Sequence, residues 1–417
     1  MEKVHEMAWR LLSWGRVIGL VHGKAEGCRR LLGLVLLVAS ATALARQAGL
    51  SGASVDRGFG HIHDRRSDPE WSVHVLRIDR SRPDLGLTTT LGGGDRIGMR
   101  TVSEQVAAMA DSEGTPIAAV NGDFYMTEDA YRGDPRDVQV RNGELVSAPS
   151  GHASFWLDRQ GMPRTTNITS RLQVFWPDGK SSAMGLNELR EEDAVVVYSA
   201  AAGPTTRTDG GTECILERVG DKAWLPIRPG AAIEARIADV RREGNSAIPA
   251  GRLVLSLGSR LASRGRGLAV GQVVRLVFDT FPDLQGVQLA LGGGPTLVRG
   301  GKAMTWSGFQ VRHPRTALGW NSNTLFMVVV DGRQSGLSVG MTFPELANYM
   351  ASLGCEEALN LDGGGSASMW VMGQVISSPS EGRERPGANA LVLVRRPPVT
   401  TSGGRNEGGA TNNAPRP

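Results

Sequence analysis

Three glycine triplets, each preceded by a leucine, are the places where this chain could hold an anion: Leu91-Gly-Gly-Gly-Asp95, Leu291-Gly-Gly-Gly-Pro295 and Leu361-Asp-Gly-Gly-Gly-Ser366. Successive glycines carry no Cβ, so their backbone N–H groups can turn toward one point and approach a phosphate closely. Taken alone, each triplet is also an ordinary turn. None fits a P-loop or a dinucleotide fingerprint, because the glycine spacing and the following Lys are missing. The third triplet differs in its surroundings. Asp362 follows an apolar run, which places a carboxylate at the C-terminal edge of a strand, where ligands gather in sheets of this kind. Ser366 adds a hydroxyl, but not in a G-x-S-x-G elbow and with no His nearby in sequence, which argues against a serine hydrolase.

Arginines at strand edges are the second chemical signal. Arg315, in His313-Pro-Arg-Thr-Ala-Leu-Gly319, and Arg333, in Asp331-Gly-Arg333, flank the apolar run Leu325–Val330. A guanidinium offers a planar fork of donors that matches a pair of phosphate oxygens. Surface ion pairs are the competing use, more so for Arg333. Further on, Ser380-Glu-Gly-Arg-Glu384-Arg385-Pro-Gly-Ala-Asn389 is a charged loop that by itself reads as solvated.

The elements that must position these residues are mostly strands. Short β-type runs cover Trp71–Ile78, Ile117–Val120, Ala194–Tyr198, Leu253–Leu257, Val287–Leu291, Leu325–Val330, Ala358–Leu361 and Ala390–Val394. Two helices are announced by capping boxes, Thr101-Val-Ser-Glu104 and Thr342-Phe-Pro-Glu345, in which hydroxyl and carboxylate satisfy free N–H groups. Each leads to a glycine (Gly114, Gly354) and then to a strand ending in Asn-x-Asp: Asn121-Gly-Asp123 and Asn360-Leu-Asp362. The repeated plan reads either as an internal duplication or as two ordinary capped helices. The fold class expected is α+β, with mixed β-sheets and a few flanking helices; the strands predominate.

Composition narrows the classes. The 417 residues are 40% hydrophobic and 21% charged, enough to bury a sizeable core, and the 55 glycines follow no repeat period. Residues 1–45 read as a signal peptide: Arg29-Arg30, then an apolar run, then Ala41-Thr-Ala-Leu-Ala45. That run is too short for a comfortable membrane span. Export to a secreted, periplasmic or envelope location follows as the expectation, with no stable membrane span once the signal is cleaved. Most of the formal charge of +4 lies in the leader, which holds six basic and three acidic residues. The remainder is nearly balanced and lacks basic runs interleaved with aromatics, so a nucleic-acid partner is not expected. Residues 46–70 read as a linker and 397–417 as a disordered tail. Cys214 and Cys355 remain after the leader, and sequence leaves their pairing open. No Cys/His spacing marks a zinc site, and no cofactor or metal is expected.

Together the blocks resemble the phosphodiester glycosidases, the family of the enzyme that uncovers mannose 6-phosphate by removing N-acetylglucosamine. The stretches that carry the resemblance are Asn121-Gly-Asp-Phe-Tyr125, Gly292-Gly-Gly-Pro-Thr-Leu297, Arg315-Thr-Ala-Leu-Gly319, Asp331-Gly-Arg333, Asn360–Ser366, and Glu384-Arg385-Pro386 with Asn389-Ala390. They cover about 115–158 and 286–395, leaving about 160–285 as a β-rich insertion in a domain running from 71 to 396. Glu381 stands where that family usually has Asp, and Gly387 where valine is common.

The resemblance implies hydrolysis of a sugar-1-phosphate diester at the anomeric carbon, giving free sugar and a phosphomonoester. The residue types suit that chemistry. A phosphomonoester leaves as a weak base and wants charge stabilisation, while an oxocarbenium-like transition state wants carboxylates. The implied catalytic carboxylates are Asp362, Glu384 and Asp123. Arg315 and Arg385 would hold the phosphate, with Gly363, Gly364, Gly365, Ser366 and Asp331 beside it; Asn121, Asn360 and Asn389 would orient hydroxyls or carboxylates. Two other functions compete. One is a P–O-cleaving phosphodiesterase, which would need clustered metal ligands, whereas the histidines are scattered and His61-Ile-His63 falls in the linker. The other is a non-catalytic protein that binds glycans or assembles envelope polysaccharide.

Overall fold

Alternation along the strands decides how the layers stack. In Glu70–Asp79 the side chains of Trp71, Val73 and Val75 enter one apolar cluster and those of Leu76 and Ile78 another. Thr324–Val330 divides in the same way, with Phe326, Val328 and Val330 on one side and Leu325, Met327 and Val329 on the other. A strand buried on both faces needs a continuous apolar run, which is why these two were legible. They lie side by side in a seven-stranded sheet ordered Phe59–Ser67, Glu70–Asp79, Thr324–Val330, Arg315–Trp320, Glu357–Asn360, Thr296–Arg299 and Lys302–Ala303. The capped helix Phe343–Ser352 covers one face through Leu346, Ala347 and Met350.

The other face meets two five-stranded sheets. One runs Gln374–Val375, Met369–Val371, Thr115–Asn121, Ala390–Arg395, Leu85–Thr89, and the second Glu144–Ser147, Gln139–Arg141, Leu289–Gly292, Ala153–Leu157, Pro163–Asn167. Val120, Phe155, Leu291, Leu359 and Leu391 from all three sheets share one core. Replacing any of these leucines by Ala is expected to cost about 2–5 kcal/mol, the transfer loss plus the cavity left behind.

An eight-stranded sheet is built wholly from residues within 169–281. Its strands Ala232–Arg241 and Val273–Phe281 alternate buried and exposed residues, so charged side chains on the outer positions obscure them in a run-based reading. Pairing is antiparallel throughout the four sheets except where Gly185–Leu186 runs parallel to Val195–Tyr198, which makes this sheet mixed. The strand-rich α+β class expected from sequence is the class found.

The computed structural model describes residues 58–127 and 130–396, which fall in one compact unit; the expected signal peptide and C-terminal tail lie outside the described residues. The expected linker needs correction. Phe59–Ser67, within it, pairs residue for residue with Glu70–Asp79 as an edge strand. Its His, Asp and Arg side chains resemble linker composition, but edge strands favour charge, and a partner strand supplies what propensity lacks. Cys214 and Cys355 are both buried and unpaired. The Cys355 thiol fills space beside Gly319, where a Cβ would lie 2.7 Å from its sulfur.

Candidate active site

Three strands from three sheets end at one place, and backbone contacts tie their ends together. The Asp362 N–H donates to the Gly122 carbonyl at 2.9 Å, and the Gly294 N–H to the Asn360 carbonyl at 2.7 Å. Buried asparagines reinforce this. Asn121 Nδ2 donates to the Asp362 carbonyl at 2.7 Å, while its Oδ1 accepts from Thr316 Oγ1 at 2.6 Å and from the Ser368 N–H at 3.2 Å. Asn360 Nδ2 donates to the carbonyls of Gly294 and Leu361, at 2.8 and 2.6 Å. Asn389 accepts from the Asp123 N–H at 2.8 Å and donates to Gln139 Oε1 at 2.7 Å. The three asparagines therefore hold the chain; of their amide atoms, Asn360 Oδ1 is buried without a partner.

The glycines of the second triplet serve close approach. A Cβ on Gly292 would stand 2.3 Å from Asp123 Oδ2, and one on Gly293 2.7 Å from the Asn360 carbonyl oxygen. In the third triplet the Gly363 N–H donates to Asp362 Oδ1 at 2.8 Å and the Gly364 N–H to the Pro314 carbonyl at 2.9 Å. These two N–H groups are engaged within the protein, so the expected anion cradle of converging donors is not formed by them.

Beside this junction a cleft of about 440 Å³ opens, lined by Asp123, Arg136, Asp137, His152, Asn167 and Thr296 among others. Asp123 is fully enclosed. Its oxygens accept from the N–H groups of Phe124 at 2.7 Å and Asp137 at 3.0 Å. Burial pushes its carboxyl well above the ordinary range, and the neighbouring Asp137 and Asp362 carboxylates push it further, more than the N–H donors pull it down. Asp137 is buried as well and accepts from the N–H groups of Val138, Ser150 and His152. His152 Nδ1 lies 3.2 Å from Asp137 Oδ2 and 2.9 Å from Ser150 Oγ, and its ring is 72% exposed. The pair orients an exposed imidazole at the cleft.

Asp362 sits at the same junction, partly buried. Burial raises its carboxyl above the ordinary range, opposed by the Ser366 hydroxyl, the Gly363 N–H and the positive fields of Arg385 and Arg136. The Ser366 hydroxyl, near the carboxylate, has no hydrogen-bond partner among the described residues. Glu384 accepts from Ser368 Oγ at 2.9 Å and, at 3.4 Å, from the Ser103 N–H, so it is tied to the first capped helix.

The four arginines near the site are held in four different ways. Arg315, 8% exposed, donates to the carbonyls of Met341 and Val311 at 2.9 and 3.2 Å and stacks 4.0 Å from the Phe343 ring centroid. Burial, with Arg333 nearby, lowers its guanidinium to about 10. It makes no carboxylate contact among the described residues. Arg333 bonds His313 Nδ1 at 3.0 Å and lies 3.2 Å from the Cβ position of Gly364. Arg385 is paired to Glu381 over Gly365, whose Cβ position would be 2.2 Å from Arg385 Nη2. Arg136, at the cleft, has no side-chain hydrogen bond or ion pair among the described residues, and its charge reaches Asp362.

Asp331 departs from the expected grouping. Instead of facing the glycine triplet, its carboxylate accepts from Ser72 Oγ at 2.7 Å and the Ser378 N–H at 2.7 Å, and lies 3.2 Å from His74 Nε2. The physical reason is register: Asp331 follows Val330, and the Asp331 N–H bonds the Ser72 carbonyl, which turns the side chain onto the neighbouring strand. Arg136, Asp137 and His152 escaped the sequence reading. Asp134-Pro-Arg-Asp137 lies between the Asn121 block and the next strand, and its only signal was proximity to that block.

Comparison with known proteins places part of the chain in a described family. Residues 229–394 match the family model described as phosphodiester glycosidase. The match contains every block of the resemblance except that at Asn121, which the fold joins to the others, and it begins inside the stretch expected as an insertion. An uncharacterized protein derived from the SPbeta prophage of Bacillus subtilis (strain 168) is 41% identical over 90 residues, which are 21% of this chain and 14% of that protein. A hypothetical protein from Synechocystis has a similar structure, with TM-score 0.64, 18% identity, and coverage of 81% of this chain and 62% of that one. A Burkholderia pseudomallei K96243 protein whose name marks it as exported aligns with TM-score 0.60 and 25% identity, over 78% of this chain and 74% of its own. This chain thus spans less than two thirds of the first two.

Proposed function

Starting from a chain whose residues 229–394 match the phosphodiester glycosidase family, we propose that the protein is an exported hydrolase that cleaves the bond between the anomeric carbon and the phosphate oxygen of a sugar-1-phosphate diester. The observation that carries this reading is the group of acids at the strand ends: Asp362 lies within the fields of Asp123 and Arg136, and Asp123, Asp137 and Arg136, the last without a side-chain hydrogen bond or ion pair among the described residues, line the adjoining cleft.

The chemistry follows from those groups. Arg136, with the field of Arg385, which is paired to Glu381, supplies positive charge for the phosphate oxygens, and that charge stabilises the departing phosphomonoester without a proton. Asp362, once ionised, stands against the positive charge that develops at the anomeric carbon, as attacking group or as base for water. Burial and the neighbouring carboxylates favour the neutral form of Asp123, which positions Asp137 through the Asp137 N–H. His152, oriented by Asp137 and exposed at the cleft, can contact the substrate or water. Arg315 acts as structural support that ties the segments at Val311 and Met341 together rather than as the phosphate clamp. The substrate class is a phosphodiester-linked glycan or small glycoside. Export is supported by the leader sequence and by the name of the Burkholderia relative.

Incubation of the purified full chain with sugar-1-phosphodiesters, with both products identified, tests the reading. Free reducing sugar with a phosphomonoester is the expected outcome. Sugar 1-phosphate would mean P–O cleavage, and tight binding with no turnover on any diester would make the cleft a glycan-binding site.

A further inference from the structure

A second group of chemically capable side chains stands away from the cleft, on the edge of the seven-stranded sheet. Strand period two puts His61 and His63 on one face of Phe59–Ser67, and His63 is paired directly with His74 on Glu70–Asp79. Asp331 reaches the same point from the end of Thr324–Val330. The donor atoms of His63, His74 and Asp331 all lie within 4.8 Å of one another. We propose that His63, His74 and Asp331 form a binding site for one divalent transition-metal ion of the zinc class, with an open coordination position on the solvent side.

Four features support this. Two imidazoles and one carboxylate form a donor set that suits zinc and its neighbours better than calcium or magnesium, which prefer oxygen. The 3.2 Å between His74 Nε2 and Asp331 Oδ2 is close to the edge of about 3.3 Å expected between two ligands bound tetrahedrally at about 2.0–2.1 Å. The outer shell is already in place. His74 Nδ1 lies 3.2 Å from His61 Nε2, so its Nδ1–H can donate there and free Nε2 for a metal, and Asp331 is fixed by Ser72 Oγ and the Ser378 N–H. Finally, Asp331 is a buried carboxylate with no Lys or Arg in contact among the described residues, so a cation at this point would compensate an otherwise uncompensated charge. His63 is exposed, which lets it close the remaining distance and leaves room for water as the fourth ligand.

Such an ion would clamp the edge strand to the segment leading into Arg333, which lies beside Gly364. The test uses the full chain stripped with chelator and titrated with cobalt(II), read by its visible absorption bands, and with zinc, read as a rise in Tm. One equivalent bound with four- or five-coordinate bands, lost at least tenfold in affinity in His63→Ala and unchanged in His313→Ala, is the expected result. Because His63 is exposed, His63→Ala should fold, as circular dichroism checks directly. Absence of cobalt bands in the folded wild-type chain, undiminished binding in His63→Ala, or loss in His313→Ala would each overturn the proposal.

Discussion

The two capped helix, strand and Asn-x-Asp units use one local plan and reach different chemistry. Both boxes form: the Thr101 and Thr342 hydroxyls accept from the N–H groups of Glu104 and Glu345, and each glutamate returns a bond to its threonine. The helices differ in length, Val102–Ala107 against Phe343–Ser352, and their strands join different sheets. In the first unit Asp123 is buried, bonded by N–H groups at both oxygens, and its carboxyl is pushed well above the ordinary range by burial. In the second Asp362 keeps some exposure, one N–H donor and arginines within reach. The strand plan places an acid at the junction; the packing around it sets how strongly its carboxyl is pushed above the ordinary range. The Asn residues show the same division, since Asn121 is bonded at both amide atoms whereas Asn360 leaves Oδ1 without a partner.

The largest effect expected from this contrast is at Asp362. Asp362→Asn should lower kcat/KM by about 10³-fold or more with the far-UV spectrum unchanged, since a positioned acid or base contributes on the order of 10²–10⁴-fold. A variant with near-normal turnover would leave Asp123 or Glu384 as the reacting carboxylate. Next, Arg136→Ala should cost roughly 10²-fold on a phosphodiester and much less on a neutral aryl glycoside, because it removes charge aimed at the leaving phosphate. Arg315→Lys, by contrast, should lower Tm and reduce both substrates alike, as its contacts are to backbone carbonyls. Equal sensitivity of the two substrates to Arg136→Ala would reverse those assignments.

The pH dependence separates the two acids. Asp362 must ionise to act, and its raised pKa moves the acid limb of the kcat/KM profile above the usual carboxylate range, with activity falling tenfold per pH unit below it. Asp123 acts on stability in the other direction from a salt-bridged acid. Its folded pKa is raised, so its contribution is complete below the unfolded value of about 4 and declines as pH rises toward the folded one. Thermal melts should therefore weaken across that window, and Asp123→Asn should flatten the trend. The smallest effect is expected at the caps, where Thr101→Ala and Thr342→Ala each cost about 1 kcal/mol in urea unfolding. A much larger loss for Thr101→Ala would show that Glu384, which reaches the Ser103 N–H, depends on that helix for its position.

Much of this arrangement was legible in the residues alone. Strands buried on both faces announce themselves as apolar runs, and a Thr-x-x-Glu box bonds only within its own turn, so Trp71–Ile78, Leu325–Val330 and both helices followed from local physics. The blocks around Asn121, Gly292, Asp362 and Asn389 were visible too, because close approach of backbones leaves little choice but glycine and buried amides. What local pattern could not carry was partnership at long range. Whether Arg315 faces phosphate or the Met341 carbonyl, whether Asp331 faces the glycine loop or His74, and whether His61-Ile-His63 is a linker or an edge strand opposite His74 all depend on which strands lie side by side. Arg136, Asp137 and His152 entered the cleft for the same reason. Residue type and spacing determined which groups could do chemistry; only the tertiary structure decided which met, because burial and charge are properties of the surroundings that folding assembles.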